Sequence, residues 1–335
     1  MRMRAAFITN SPELIDRIYP ETERRRLTEK LDLLPGVLTE ETLSSRAEET
    51  REVSVLLSTW NMPMLNRQRI AAAFPQLRFL FYGAGSVQYF ARPFLENGVR
   101  VFSAWAANAV PVAEYAVSQI VLSGKGCFQA MRRYREHDRA DAQQFVSAQP
   151  CNYGIRVGLL GAGMIGRMVA QRLRGYEYEV LIYDPFVADE TIAALGARRA
   201  TLTEIFATCQ VISNHVANLP STVGMIDEAL LRSMLPNATF INTGRGAQVD
   251  EGALTRAMEE EPDRTALLDV TFPEPPEADS PLLRLPNVFL TPHIAGSMGQ
   301  EVARMGAYMA EECERVLSGE AARYEVTLDM LETMA

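Results

Sequence analysis

The chain has 335 residues, 47% of them hydrophobic and 22% charged, a composition that describes a folded globular protein and excludes intrinsic disorder. This is longer than one core usually supports, so two domains are expected. Lys and Arg number 33 against 42 Asp and Glu, a net charge of −9; that is the wrong sign for neutralising nucleic-acid phosphates, and an anionic substrate would need a placed Arg or Lys.

Short β-branched or aromatic runs alternate with helical patterns from the N-terminus onward, at residues 5–8, 53–57, 77–82 and 99–102. Strands that alternate with helices form parallel sheets. The first apolar run is too short for a signal peptide. The apolar stretch 110–122 is interrupted by Glu114 and Gln119, so it reads as a buried helix and not as a membrane span. A second strand series follows at 155–160, 179–183, 210–214, 239–242, 266–269 and 288–291, the count of a six-stranded doubly wound sheet. Asp227 is placed to cap a helix that stops near Pro236, and Asp250 one that stops before Pro262. Ser297 with Gln300 has capping-box spacing, and Val302, Met305, Met309, Cys313 and Val316 then share one helical face.

The sharpest local signal is Val157-Gly158-Leu159-Leu160-Gly161-Ala162-Gly163-Met164-Ile165-Gly166, a buried strand running into G-x-G-x-x-G ahead of a helical pattern. Gly161 permits the tight turn, Gly163 lets a pyrophosphate approach the backbone, and Gly166 lets helix and strand pack closely. Eighteen residues beyond Gly166, strand 179–183 ends in Asp184. A carboxylate there accepts from the adenosine ribose hydroxyls and repels a 2′-phosphate, so NAD is expected in preference to NADP.

Three later segments each lie just past an expected strand: Asn242-Thr243-Gly244-Arg245-Gly246, Asp269-Val270-Thr271-Phe272-Pro273-Glu274, and Thr291-Pro292-His293-Ile294-Ala295-Gly296. Ligands of open α/β sheets bind outside the carboxyl ends of the strands, so Arg245, Glu274 and His293 can converge there. Their chemistry is complementary. Reducing a 2-oxo acid needs a cation for the carboxylate, which the planar fork of Arg245 provides, and an acid for the carbonyl oxygen, which His293 provides. A nearby Glu274 carboxylate would favour the imidazolium and fix the ring's orientation.

Taken together these segments resemble the D-isomer-specific 2-hydroxyacid dehydrogenase family over roughly residues 77–310. The resemblance extends to Gly83-Ala84-Gly85, similar to the family's substrate-carboxylate loop, and to Asn108-Ala109-Val110-Pro111, similar to its hinge-helix motif. It implies two doubly wound Rossmann-like α/β domains with parallel sheets. A substrate domain split between 1–103 and 296–335 would be interrupted by an NAD-binding domain at 104–295, with a cleft between them and hinges near Ser103 and Ala295. It also implies a catalytic trio of Arg245, Glu274 and His293 and a homodimeric assembly. Met164, Ile165, His215, Val216, Thr243, Gly244, Asp269 and Ala295 would join Gly161, Gly163, Gly166 and Asp184 around the coenzyme, with Asp269 at the nicotinamide amide. Gly83, Ala84, Gly85 and Arg245 would hold the substrate, and Trp60 is placed to cover its distal group or simply to pack. The sequence departs from the family at three places: Met164 replaces a frequent Arg, the stretch Ser86-Val87-Gln88 replaces an Asp-containing one, and Ala217 replaces a frequent Pro.

The expected reaction is hydride transfer between NAD(H) and C2 of a small D-2-hydroxy or 2-oxo acid of the glyoxylate or hydroxypyruvate type. The competing class is an NAD-responsive binding or co-regulator protein on the same scaffold, since fold alone does not separate the two. Formate oxidation is disfavoured because Glu274, and not glutamine, is the expected partner of His293. Cys127, Cys151, Cys209 and Cys313 are far apart and form no C-x-x-C pair, so no metal is expected, the thiols read as small buried hydrophobes, and a reducing cytoplasm fits. No nucleic-acid or membrane partner is expected.

Overall fold

The computed structural model describes residues 2–334. Packing divides the chain into two units, Met1–Ala109 with Ser297–Ala335, and Val110–Gly296. The first division falls inside a helix, Trp105–Gly124, and not at Ser103.

In chain order the first unit holds β1 (Met3–Ile8), β2 (Leu31–Leu38), β3 (Val55–Ser58), β4 (Phe79–Tyr82) and β5 (Arg100–Ser103). The second holds β6 (Tyr153–Leu160), β7 (Glu177–Tyr183), β8 (Arg198–Arg199), β9 (Val211–Asn214), β10 (Thr239–Asn242), β11 (Thr265–Leu268) and β12 (Val288–Leu290), and β13 (Glu325–Val326) belongs again to the first. The sheet orders are β13-β5-β4-β3-β1-β2 and β12-β11-β10-β9-β6-β7-β8. Pairing is parallel throughout except for β13, which lies antiparallel to β5. Each unit is thus an α/β fold with a doubly wound sheet, and β3, β4, β9, β10 and β11 are buried at every residue because helices cover both faces.

Three strands were not legible in the sequence, and each sits at an edge. Pro35-Gly36 interrupts β2, Gly36 has φ 71°, and the register against β1 shifts between Ala5 and Phe7; proline and glycine are tolerated there because an edge strand need not donate on both sides. Strands β8 and β13 are two residues each and carry charge. The second sheet therefore has seven strands where six were expected.

Helix Glu228–Ser233 is capped by Asp227, which accepts from Leu230 N–H at 3.0 Å, and helix Glu251–Glu260 by Asp250, which accepts from Ala253 N–H at 2.9 Å. Each such cap contributes about 1 kcal/mol. The C-terminal helix Val302–Leu317 buries Val302, Met305, Met309, Cys313 and Val316 as its periodicity requires. Its entry differs from the expected one. Ser297 Oγ is buried without a partner, while the Glu301 carboxylate accepts from Met298 N–H at 3.0 Å, so the reciprocal bond starts one residue later than the Ser297 and Gln300 spacing suggested. Cys209 and Cys313 are buried, but Cys127 and Cys151 are only half-buried. Among the described residues no helix is long and apolar enough to cross a membrane.

Candidate active site

In the second unit the winding reverses between β6 and β9, and the loop after β6 opens beside that crevice. Gly161 turns there with φ 92°, a left-handed conformation that favours glycine. A Cβ on Gly166 would lie 2.0 Å from the Gly161 carbonyl oxygen, so glycine at 166 is what lets helix Met164–Leu173 start against the strand. Around Gly163 a Cβ would meet nothing within 4 Å. That space lies at a helix N-terminus with no side-chain cap, where free N–H groups and the helix dipole attract an anion. Met164, the first helical residue, is exposed and Ile165 is half-buried.

Asp184, at the end of β7, is buried and accepts three backbone N–H groups: Ala162 at 2.7 Å, Phe186 at 2.9 Å and Val187 at 3.0 Å. It ties the glycine loop to its own turn and keeps acceptor capacity, since an ionised carboxylate has about four lone-pair sites. These features fit a dinucleotide: an open glycine, an uncapped helix start and a fixed carboxylate at the next strand end.

Loops after β9 and β10 form the adjoining wall. His215 is half-buried, with Nε2 3.0 Å from Ser213 Oγ and Nδ1 3.4 Å from Thr243 Oγ1. Burial lowers its pKa from 6.5 to about 4, so it is neutral at pH 7. Val216 N–H donates to Asn214 Oδ1 at 3.2 Å. A Cβ on Gly244 would lie 2.6 Å from Gln248 Oε1.

Arg245 follows directly and is half-buried. Its Nη1 donates to the Gly244 carbonyl at 2.8 Å, and no carboxylate forms an ion pair with it among the described residues. Burial lowers its pKa while Glu274 opposes that effect. A guanidinium with unused donors in this setting is a receptor for a carboxylate. The neighbouring turn is pressed close: a Cβ on Gly246 would lie 2.0 Å from the Thr271 carbonyl carbon. The loop from Thr271 carries Glu274, whose Oε1 lies 2.6 Å from His293 Nδ1.

His293 has φ 54°, unusual for a residue with a Cβ. Asp269 holds it there. The Asp269 carbonyl accepts from His293 N–H at 3.0 Å, while its buried carboxylate accepts from Thr291 Oγ1 at 2.6 Å and from the N–H groups of Ile294 and Ala295, both at 2.8 Å. Asp269 thus builds the turn that presents the histidine, a role its position after β11 did not reveal. The structure brings Arg245, Glu274 and His293 to neighbouring turns at the carboxyl ends of β10, β11 and β12.

The first unit positions the remaining expected residues by itself. Gly83 N–H donates to the Ser58 carbonyl at 2.8 Å, and a Cβ there would meet Ile18 and Tyr19 at 2.8 Å. Ser103 Oγ donates to the carbonyls of Ala84 and Gly85 at 2.9 and 2.5 Å. Trp60 packs partly buried against this unit's core, and its carbonyl accepts from Thr9 Oγ1 at 2.7 Å.

Residues 118–295 match the family described as "D-isomer specific 2-hydroxyacid dehydrogenase, NAD binding domain". The chain is 32% identical over 237 residues to D-3-phosphoglycerate dehydrogenase of Archaeoglobus fulgidus, and 34% identical over 224 residues to that of Mycobacterium tuberculosis. These alignments cover 71% and 67% of this chain but 44% and 42% of the relatives, so the chain spans less than half their length. Among solved structures, the apo form of D-mandelate dehydrogenase from Rhodotorula graminis superposes with a TM-score of 0.78 at 20% identity, covering 97% of both chains. A glyoxylate reductase from Paecilomyes thermophila gives 0.74 at 22%, covering 97% of this chain and 99% of that one. At such identities the likeness speaks for the fold alone, two Rossmann-like α/β domains with parallel sheets. By the match over residues 118–295 and the identity to its relatives, the chain belongs to the D-isomer specific 2-hydroxyacid dehydrogenase family, with the family's NAD-binding domain.

Proposed function

We propose that the chain is an NAD-dependent dehydrogenase acting between a small D-2-hydroxy acid and its 2-oxo acid, of the glyoxylate or hydroxypyruvate type. The observation that carries the reading is the 2.6 Å contact between Glu274 Oε1 and His293 Nδ1, next to the turn of an Arg245 without an acidic partner. NAD, when bound, supplies or accepts the hydride at C2. Arg245 binds the substrate carboxylate and draws electron density from the carbonyl oxygen. His293 gives the proton on Nε2 to that oxygen as the alcohol forms, and keeps the Nδ1 proton directed at Glu274. In the oxidation direction Nε2 takes the proton back. Glu274 orients the ring and balances its charge.

The same reading assigns the split unit to substrate recognition through Gly83, Ala84, Gly85 and Trp60. Residues 9–12, 59–66 and 83–91, which follow β1, β3 and β4, include no Lys, Arg or His. A phosphate would find only backbone N–H groups and neutral donors in these segments, with the first cations at Arg67 and Arg92, which favours an unphosphorylated acid over the substrate named for the relatives. The four free cysteines suit a reducing cytoplasm. A homodimer is also proposed. Met131 and Tyr134, 52% and 60% exposed, stand on an apolar groove with Cys127, Ala130, Ala142 and Val146, the kind of surface that a second copy covers.

The deciding experiment follows NADH absorbance with glyoxylate, hydroxypyruvate, phosphohydroxypyruvate and larger 2-oxo acids, with NADPH alongside. Turnover of a short unphosphorylated acid with NADH is expected. No turnover with any acid, despite tight NADH binding, would replace this reading with an NAD-responsive binding protein.

A further inference from the structure

Three buried carboxamides meet beneath the turn that carries Arg245. Asn214 ends β9, Asn242 ends β10, and Gln248 lies three residues beyond Arg245, and all three are shielded from solvent. A buried amide needs a partner on both its oxygen and its nitrogen, and here every one of these atoms has one. Asn214 Nδ2 donates to Asn242 Oδ1 at 3.0 Å and to Gln248 Oε1 at 2.7 Å. Asn242 Oδ1 accepts from Gly244 N–H at 3.0 Å, and Asn242 Nδ2 donates to the Arg245 carbonyl at 3.2 Å.

Gln248 does something the other two do not. Its Oε1 accepts from Arg245 N–H at 3.1 Å, while its Nε2 donates to the carbonyls of Val216 and Ala217 at 2.9 and 3.0 Å. The amide's orientation is forced, because carbonyl oxygens face one end and N–H groups the other. One side chain therefore spans the loop after β9 and the turn after β10. Ala217 depends on such contacts: its carbonyl accepts also from Thr222 Oγ1 at 2.8 Å, and its N–H donates to nothing among the described residues.

We propose that Gln248 is a positioning residue that sets the 216–217 loop and the Arg245 turn as a single unit. The inference rests on the reading of Arg245 as the carboxylate receptor and of the 215–217 loop as a coenzyme wall. An apolar side chain of equal length would fill the space but leave the Val216 carbonyl and the Arg245 N–H without partners and the Ala217 carbonyl with Thr222 Oγ1 alone. Both segments would then relax, and a displacement near 1 Å at a reacting group is enough to cost a large factor in rate.

The test compares wild type, Gln248→Met, Gln248→Asn and the double variant Gln248→Met with Ala217→Pro. The readouts are NADH affinity by fluorescence titration, KM and kcat for the preferred oxo acid, and hydrogen exchange in segments 214–218 and 243–246. Gln248→Met should weaken NADH binding and raise the oxo-acid KM, each by about tenfold, with faster exchange in both segments. Gln248→Asn keeps the amide but is one methylene short, so it should loosen one segment and spare the other. Proline at 217 fixes φ where no N–H is needed, so the double variant should recover NADH affinity without recovering the oxo-acid KM. If Gln248→Met lowers the melting temperature but leaves NADH affinity, KM and exchange in both segments unchanged, Gln248 is filler and the proposal is wrong. Should Gln248→Met fail to fold, an unchanged Gln248→Asn overturns it equally. If wild type reduces no oxo acid, the proposed reaction fails, while NADH affinity and exchange still decide whether the two segments move together.

Discussion

Glu274 and His293 stand 19 residues apart in the chain, and their side chains meet at 2.6 Å between Oε1 and Nδ1. The contact uses the ring nitrogen that faces the protein and leaves Nε2 for a substrate oxygen. Both side chains are well exposed, 39% and 46% by area, so a surface ion pair of this kind adds little to folding. Its value lies in orientation. Replacing His293 by Ala should therefore depress turnover by about a hundredfold or more with NADH affinity and melting temperature close to wild type. Glu274→Gln should lower kcat by a smaller factor. A fully active His293→Ala enzyme would remove the histidine from the reaction.

Arg245 makes the converse point, since a half-buried cation with no acidic partner is costly unless a ligand completes it. Lysine keeps the charge but loses the planar fork. Arg245→Lys should lower kcat/KM for the oxo acid by at least about tenfold, the loss of one charged hydrogen bond of about 1.5 kcal/mol or more. NADH affinity should hardly change. Steady-state kinetics alone checks this, and equal kcat/KM in the two enzymes would rule out carboxylate binding at 245.

Much of this architecture was legible because the pattern was local. The run from Val157 to Gly166 contains the end of the strand, the turn and the helix start within ten residues, and Gly158, Gly161 and Gly166 each answer a steric demand that the structure displays, while Gly163 faces open space. Asp227 and Asp250 cap as their spacing indicates. What stayed hidden depends on partners distant in sequence. Strand β2 exists because β1 lies beside it, despite Pro35 and Gly36. Asp269 could be read as a residue near the coenzyme, but nothing in its neighbourhood revealed that its carboxylate gathers Thr291, Ile294 and Ala295. Gln248 was equally silent, although Asn214 and Asn242 at the ends of otherwise apolar strands were a signal that buried amides would need company.

Two glycines of the same motif should fail in different ways. A methyl on Gly166 would meet the Gly161 carbonyl oxygen at 2.0 Å, so Gly166→Ala forces helix and loop apart and should lower the melting temperature together with NADH affinity. A methyl on Gly163 meets no protein atom within 4 Å. Gly163→Ala should melt like wild type yet bind NADH about tenfold more weakly, because the methyl takes space meant for the pyrophosphate. Fluorescence titration beside thermal melting separates the two, and undiminished NADH affinity in Gly163→Ala would move the pyrophosphate elsewhere.

His215 connects the coenzyme wall to stability. Its folded pKa is held down at about 4 by burial, against 6.5 for a free imidazole. Between those values the unfolded chain carries the proton and the folded chain does not, so the unfolded state binds more protons and stability falls as the pH is lowered. Above 6.5 both states are neutral and the residue contributes no pH dependence; the loss builds as pH drops from 6.5 towards 4. The neutral ring is also a poor proton donor at pH 7. His215→Asn removes this titration while other acid-sensitive groups remain. Its melting temperature, measured against wild type at pH 7 and again at pH 5, should therefore improve in relative terms at the lower pH. Parallel melting curves for the two proteins across that interval would show that the imidazole takes up its proton as easily in the folded chain as in the unfolded one.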